Sequence, residues 1–284
     1  MRSSRLGSYQ LGQVSHSHIE AWIKRMADQP LAAGTIKTRY NNVRGVFRAA
    51  VRDRLIVRDP TEAVRLPRQR RTDASMRIPT VEEVGALMAA AEESFRAFVA
   101  LCAFAGLRLG EAAAVQVADI DFLRRQLAVT RQVQRAGDRK IEIKAPKYGS
   151  ERVIHLPDEL TTLLARHVEA HTFGRAADRW LFQGEPGDPP HQNTVGYWWR
   201  KTQTAAGVSG IRLHDLRHFY ASGLIAAGCD VVTVQRALGH ASATTTLRTY
   251  AHLWPTAEDR TRAAAADLMR SATSPRTTTQ SVRR

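Results

Sequence analysis

Residues 238–253 read LGHASATTTLRTYAHL, and the reading of this stretch decides the fold. Leu238-Gly239-His240 has the form of a helix end, because glycine takes the left-handed conformation that closes a helix without steric penalty. Residues 243–252 contain no breaker and read as the next helix, which carries Tyr250 ten positions beyond His240. Taken alone, Tyr250 is an aromatic that packs in a core with its hydroxyl satisfied.

Upstream, His214-Asp215-Leu216-Arg217-His218 opens another helix. Spacings of three and four put His214, Arg217 and His218 on one face. Two histidines four apart suit zinc, but here the intervening acid is the short Asp215, no third ligand follows, and Arg217 would repel a metal. The alternative is a phosphate site in which His214 and Arg217 share one oxyanion. Cys102 and Cys229 sit in apolar, helix-like runs and offer no cysteine-based metal site.

Between these helices and the N-terminal third, three short strands are expected at 126–133, 140–144 and 152–156, where polar and apolar residues alternate. Lys147, in Pro146-Lys147-Tyr148-Gly149, falls at the tip of the last predicted hairpin. Gly106-Leu107-Arg108-Leu109-Gly110-Glu111 sets an arginine between two glycines at a break between a buried helix at 95–105 and a short one at 111–117. Thr80, followed by Glu82 and Glu83, has the pattern of a helix start. Further helices are expected at 158–170, 192–206, 213–227, 231–238 and 256–269.

The chain carries 42 Lys and Arg against 27 Asp and Glu, a net charge of +15 over 284 residues. Such an excess points to a polyanionic partner. Two thirds of it lies in the first 77 residues, which hold 16 basic and 6 acidic side chains. There, a helix capped by Ser15 or Ser17 carries Ile19, Trp22, Ile23 and Met26. A second, opened by Thr35, turns Tyr40, Val43, Val46, Phe47 and Ala50 to one side. Its other side presents Lys37, Arg39, Arg44, Arg48 and Arg52, a candidate DNA-binding face. No apolar run reaches bilayer-spanning length, and residues 1–10 lack a signal-peptide core. A cytoplasmic protein without a membrane partner is expected.

In order, Gly-Leu-Arg-x-Gly-Glu, a hairpin lysine, His-x-x-Arg-His, Leu-Gly-His and a tyrosine ten residues later resemble the tyrosine recombinase (phage integrase) family. The resemblance spans about residues 76–266 and, more loosely, the N-terminal helices. It implies a mainly α fold with a small antiparallel β-sheet (α+β), in which an N-terminal helical core-binding domain precedes a tyrosine-recombinase catalytic domain. The corresponding divisions are 1–70 for the helical domain, with room for an N-terminal truncation because relatives carry one more helix, 71–77 for a basic linker, 78–270 for the catalytic domain and 271–284 for a disordered basic tail.

The resemblance also implies roles. Tyr250 is the nucleophile, Arg108 and Arg217 are the active-site arginines, and His214 belongs to the His-x-x-Arg pair. His240 is the later histidine, Lys147 is the hairpin lysine with Lys144 as alternative, and Glu111 orients Arg108. Tyr250 would attack a backbone phosphorus and leave a 3′-phosphotyrosyl bond, with His214 as acid/base, Lys147 protonating the 5′ oxygen and no metal or other cofactor. Implied partners are double-stranded DNA, a homo-tetramer on paired sites and an accessory DNA-bending or directionality factor. Three rivals stand beside this reading: a catalytically silent DNA-binding module, a type IB topoisomerase and a zinc hydrolase.

Overall fold

The computed structural model describes residues 6–67, 76–136, 140–172, 174, 176–184, 187–254 and 257–273. The expected basic linker and the end of the expected tail lie largely outside this set. The chain divides into two compact units, Met1–Ser75 and Met76–Arg284.

In the first unit, helix α1 (His16–Ala27) starts at Ser15, whose Oγ accepts a hydrogen bond from the His18 amide, and the His18 ring accepts one from the Ser15 amide in return. This reciprocal cap satisfies two amides that a helix start otherwise leaves open. Helix α2 (Ala33–Arg52) begins two residues before the expected Thr35, with no side-chain cap. Ile19, Ile23 and Met26 of α1 pack on Ile36, Tyr40 and Phe47 of α2. The Tyr40 hydroxyl donates to the Thr61 carbonyl at 2.7 Å. Val46 departs from expectation: it is 58% exposed, because the buried stripe runs 36, 40, 43, 47, 50 and leaves position 46 to one side. Lys37, Arg39, Arg44, Arg48 and Arg52 are all exposed along α2.

The second unit is built on helix α4 (Glu93–Phe104), buried over most of its length. Helix α3 (Val81–Ala90) precedes it, opened by the expected Thr80 and Glu83 capping box. Helix α5 (Leu109–Ala113) follows and is shorter than the expected 111–117, giving way to a 3-10 turn at Val117–Asp119. Gly110 is obligatory here, since a Cβ would lie 2.6 Å from the Val133 carbonyl oxygen.

Among the described residues, five short strands form two antiparallel sheets. One has the order β1 (Ile120–Asp121), β2 (Gln126–Val129), β5 (Arg152–His155); the other pairs β3 (Gln132–Arg135) with β4 (Ile141–Lys144). The run expected as one strand at 126–133 breaks at Thr130 and Arg131, where Arg131 forms an ion pair with Asp119 at 2.6 Å. Lys147 is therefore not at a hairpin tip. β4 and β5 belong to different sheets, and Lys147 lies in the 3-10 turn Lys147–Gly149 between them.

Helices α6 (Asp158–His171), α7 (Gln192–Ala206), α8 (Leu213–Ala226), α9 (Val231–Leu238), α10 (Ala243–Tyr250) and α11 (Ala257–Thr273) complete the unit. The last of these carries helix past residue 271, into the start of the expected disordered tail. Leu101 of α4, Leu127 of β2, Leu164 of α6 and Leu216 of α8 are fully buried in one apolar cluster. A second cluster joins Ala221 and Ile225 of α8 to Val234 and Leu238 of α9 and Tyr250 of α10. These helices carry the chemistry-bearing residues, and their packing fixes where those residues stand. Among the described residues no helix is long and apolar enough to cross a membrane.

Candidate active site

Three helix ends and one tight turn build the site. α8 opens with the Arg212 amide donating to Asp215 Oδ2 at 2.7 Å, so Asp215 is a helix cap. The next turn of α8 carries Arg217 and His218. α9 starts at Asp230, whose Oδ1 accepts from the Val232 and Thr233 amides at 2.7 and 3.0 Å. It ends at Gly239, which has φ +62°; a Cβ there would also strike the Arg152 guanidinium at 2.8 Å. This left-handed turn sends His240 back toward α8. α10 then returns Tyr250 to the same place.

Arg217 is 1% exposed. Its two terminal nitrogens donate to the carbonyls of Gly106 and Leu238, so one guanidinium joins the turn after α4 to the last turn of α9. Burial and the nearby Arg108 lower its pKa to about 9, and it stays cationic at neutral pH. Arg108 stands in front of Glu111. Its Nη1 donates to Glu111 Oε1 at 2.6 Å and its amide to Oε2 at 3.0 Å.

Arg152, which sequence reasoning treated only as a strand residue, donates to the other side of the same carboxylate at 2.9 Å. It also donates to the Ala237 and Ser150 carbonyls at 3.0 and 3.1 Å. Arg152 thus ties β5 to α5 and to the end of α9. Burial pushes the Glu111 carboxyl up, but the hydrogen bond and charge of Arg152, with those of Arg108, overturn this and hold it at about 2.

Because that folded-state value lies below the ordinary 4.5, Glu111 contributes stability in full above about pH 4.5, and the contribution is lost as pH falls toward 2. Replacing Glu111 with glutamine leaves Arg152 buried without a counter-charge, and the expected destabilisation is about 3 kcal/mol at neutral pH. Urea melts across pH test this. The variant should lack the acid slope, and an unchanged midpoint would remove Glu111 from this role.

A cavity of about 440 Å³ is lined by Arg108, His214, Arg217, His218, His240 and Tyr250, with small residues between them. Five expected residues (Arg108, His214, Arg217, His240 and Tyr250) therefore meet in one place. Glu111 stands behind Arg108. Lys147 is exposed and does not line the cavity; Lys144, the alternative, pairs with Glu142 at 2.9 Å.

The sequence reading missed the part played by His218. Tyr250 is 1% exposed, and its hydroxyl lies 2.7 Å from His218 Nδ1. Position 218 was visible as half of a two-histidine metal pattern and as the last position of His-x-x-Arg-His, with no role of its own. Among the described residues, no three His, Cys, Asp or Glu side chains gather to hold a metal ion.

Among the described residues, no acidic side chain lines the cavity. Burial raises the Tyr250 phenol to about 12 despite the opposing pull of Arg217 and Arg108. Burial, then His214, brings His218 down to about 4. Burial, then Arg217 and Arg108, brings His240 to a similar value, and burial with Arg217 lowers His214. At neutral pH the site is thus a protonated phenol and neutral imidazoles around two permanent cations. Such a pocket suits one phosphodiester anion, because two guanidiniums bring fixed positive charge to its lining.

Comparison with known proteins agrees. The chain is 27% identical to the ICEBs1 integrase of Bacillus subtilis over 255 residues, covering 86% of this chain and 68% of that one. It is 25% identical to the tyrosine recombinase XerC of Pediococcus pentosaceus over 249 residues, 84% of this chain and 78% of that one. In fold it is similar to the Tn1549 transposon integrase in complex with transposon right end DNA. That similarity has a TM-score of 0.76 at 22% identity and covers 94% of this chain and 89% of that one. The sequence model of the phage integrase family matches residues 78–256, well over half of the chain and the whole of the cavity, and the chain therefore belongs to that family.

Proposed function

We propose that the chain carries out site-specific recombination by cutting and rejoining DNA through a 3′-phosphotyrosyl intermediate. The observation that carries this reading is the single cavity shared by the Tyr250 hydroxyl, Arg108 and Arg217. The scissile phosphate sits between the two arginines, whose fixed charges stabilise the negative charge that grows on its oxygens. Tyr250 attacks the phosphorus and the 5′ oxygen leaves. The phosphodiester energy stays in the new bond, and rejoining needs no nucleotide cofactor. His214 and His240 bond the phosphate. Lys147, in the turn leading into β5, donates the proton to the leaving oxygen. Glu111 holds Arg108 in place.

The test is capture. The full chain is mixed with a pool of nicked suicide duplexes of randomised sequence, and protein–DNA adducts are isolated under denaturing conditions. Peptide mapping should find DNA on Tyr250, and adducts on another residue, or none at all, would overturn the reading.

The exposed row of Lys37, Arg39, Arg44, Arg48 and Arg52 contacts the DNA backbone in this reading. Backbone contacts release counterions, so each contributes about 0.9 to the slope of log affinity against log salt. Replacing Arg44 and Arg48 with alanine should weaken binding on every sequence alike and lower that slope by about 2. A fluorescence-anisotropy salt titration with an unchanged slope would take these residues off the DNA.

The family likeness supports a tetramer on two paired sites, with strands exchanged in pairs and an accessory factor setting direction. α11 suits docking on a neighbouring copy, since Leu268 and Met269 are 74% and 70% exposed. Acting on DNA, the protein would work in the cytoplasm.

A further inference from the structure

We propose that His218, and not His214, receives the phenolic proton of Tyr250 as the tyrosine attacks, which makes it a catalytic residue of this reaction. The inference rests on the recombination reading above and adds the base that the reading lacks.

Three histidines line the cavity, and geometry separates them. His218 Nδ1 is 2.7 Å from the Tyr250 hydroxyl, with the two rings edge to face at a centroid distance of 5.6 Å. His240 has its Nδ1 against the Thr246 hydroxyl at 2.9 Å, and its ring lies parallel to that of Tyr250 at 6.5 Å. His214 stands edge-on to His218 at 4.8 Å, one ring further from the phenol. Among the described residues, then, His218 is the histidine in hydrogen-bond contact with the attacking oxygen. That contact is the geometric condition for a general base.

The charges around the ring favour a free imidazole before attack. His214, Asp215 and Arg217 face it from its own helix, Tyr250 from α10, and Arg108 and His240 from across the cavity. Burial is the largest influence, and His214 and Arg217 add to it against the pull of Asp215, so the ring is neutral at neutral pH while the phenol keeps its proton. The phenol then donates to Nδ1, and the ring carries its own hydrogen on Nε2.

The step balances with the groups this chain supplies. The Tyr250 Oη–phosphorus bond forms and the phosphorus–5′ oxygen bond breaks. The phenolic proton passes to His218 Nδ1, and the leaving 5′ oxygen takes a proton from Lys147, whose turn must reach the DNA from outside the cavity. In rejoining, the 5′ hydroxyl attacks and gives its proton back to the Lys147 amine, the phosphotyrosyl bond breaks, and His218 returns its proton to the phenolate. The phenol becomes far more acidic as its oxygen bonds to phosphorus, and a neutral imidazole already in contact can accept the proton at that moment.

The test uses the full chain and the randomised nicked duplexes, followed by single-turnover cleavage on the sequences captured. His218→Asn keeps a hydrogen-bonding group but cannot accept a proton, and it should slow adduct formation by at least about 100-fold with DNA binding intact. Difluorotyrosine at position 250, a more acidic phenol, should recover at least about tenfold of that loss in the His218→Asn chain, a larger gain than the same phenol gives beside an intact His218. A purely structural histidine would show no such recovery.

His218→Asn cleaving like wild type, or no recovery by the fluorinated phenol, overturns the proposal while the recombination reading stands. No adduct with the wild-type chain overturns both. Should His218→Asn fail to fold, the imidazole nitrogen resonance decides. In wild type, Nδ1 should read as unprotonated and hydrogen-bonded, and it should move in Tyr250→Phe. An unmoved resonance would overturn the proposal.

Discussion

Tyr250→Phe should bind DNA as wild type does and form no covalent adduct with it. The ring that packs among Ala221, Ile225, Val234 and Leu238 is kept whole, so no cavity opens and the helices that carry Arg217 and His240 stay where they are. What is lost is the oxygen that attacks in the proposed reaction. The hydrogen bond to His218 goes with it, but Nδ1 borders an open cavity where water can replace the hydroxyl, and the expected destabilisation is about 1 kcal/mol. Covalent catalysis has no substitute for its nucleophile. Loss of adduct below detection, with an unchanged binding isotherm, is the expected pair of results. An adduct that persists in the variant would refute the assignment of Tyr250.

Arg217→Lys should cut at a rate lower by about 100-fold or more, since one lost charge donor of this kind costs two to three orders of magnitude. The substitution keeps the charge and loses the fork. Arg217 reaches two carbonyls at once, those of Gly106 and Leu238, from a position 1% exposed to solvent. An ammonium is a single point and cannot reach both while also facing the cavity. The variant should also be less stable, by about 3 kcal/mol, because a buried carbonyl loses its donor and a buried cation its partners. Cleavage is therefore measured well below the melting temperature, on protein shown to bind DNA. Near-normal cleavage would count against a phosphate role for this side chain.

Much of this architecture was legible in local sequence. Residues 192–206 and 231–238 are helical over the whole of the expected ranges, because apolar periodicity, Asp230 and the closing glycines all mark the same ends. Thr80 and Glu83 form the cap that their spacing promised. The convergence of Arg108, Arg217, His214, His240 and Tyr250 was visible as an ordered set of motifs.

What escaped was non-local. Helical spacing puts His214 and His218 on one face but cannot say which of them a tyrosine 32 positions later will touch. The alternation at 126–133 falters at Arg131, but nothing local shows that its pairing with Asp119 splits the run, so Lys147 was given the wrong turn. Arg152 belongs to a short strand, and nothing in that strand announces that its guanidinium reaches Glu111 and the Ala237 carbonyl.

The Tyr250 phenol and the Arg108 and Arg217 guanidiniums line one cavity of one polypeptide. On the proposed function, each copy would therefore cut with its own tyrosine. Association between copies would govern the timing and sequence in which strands are opened, a matter between neighbours, while the capacity to open a strand would belong to every subunit separately.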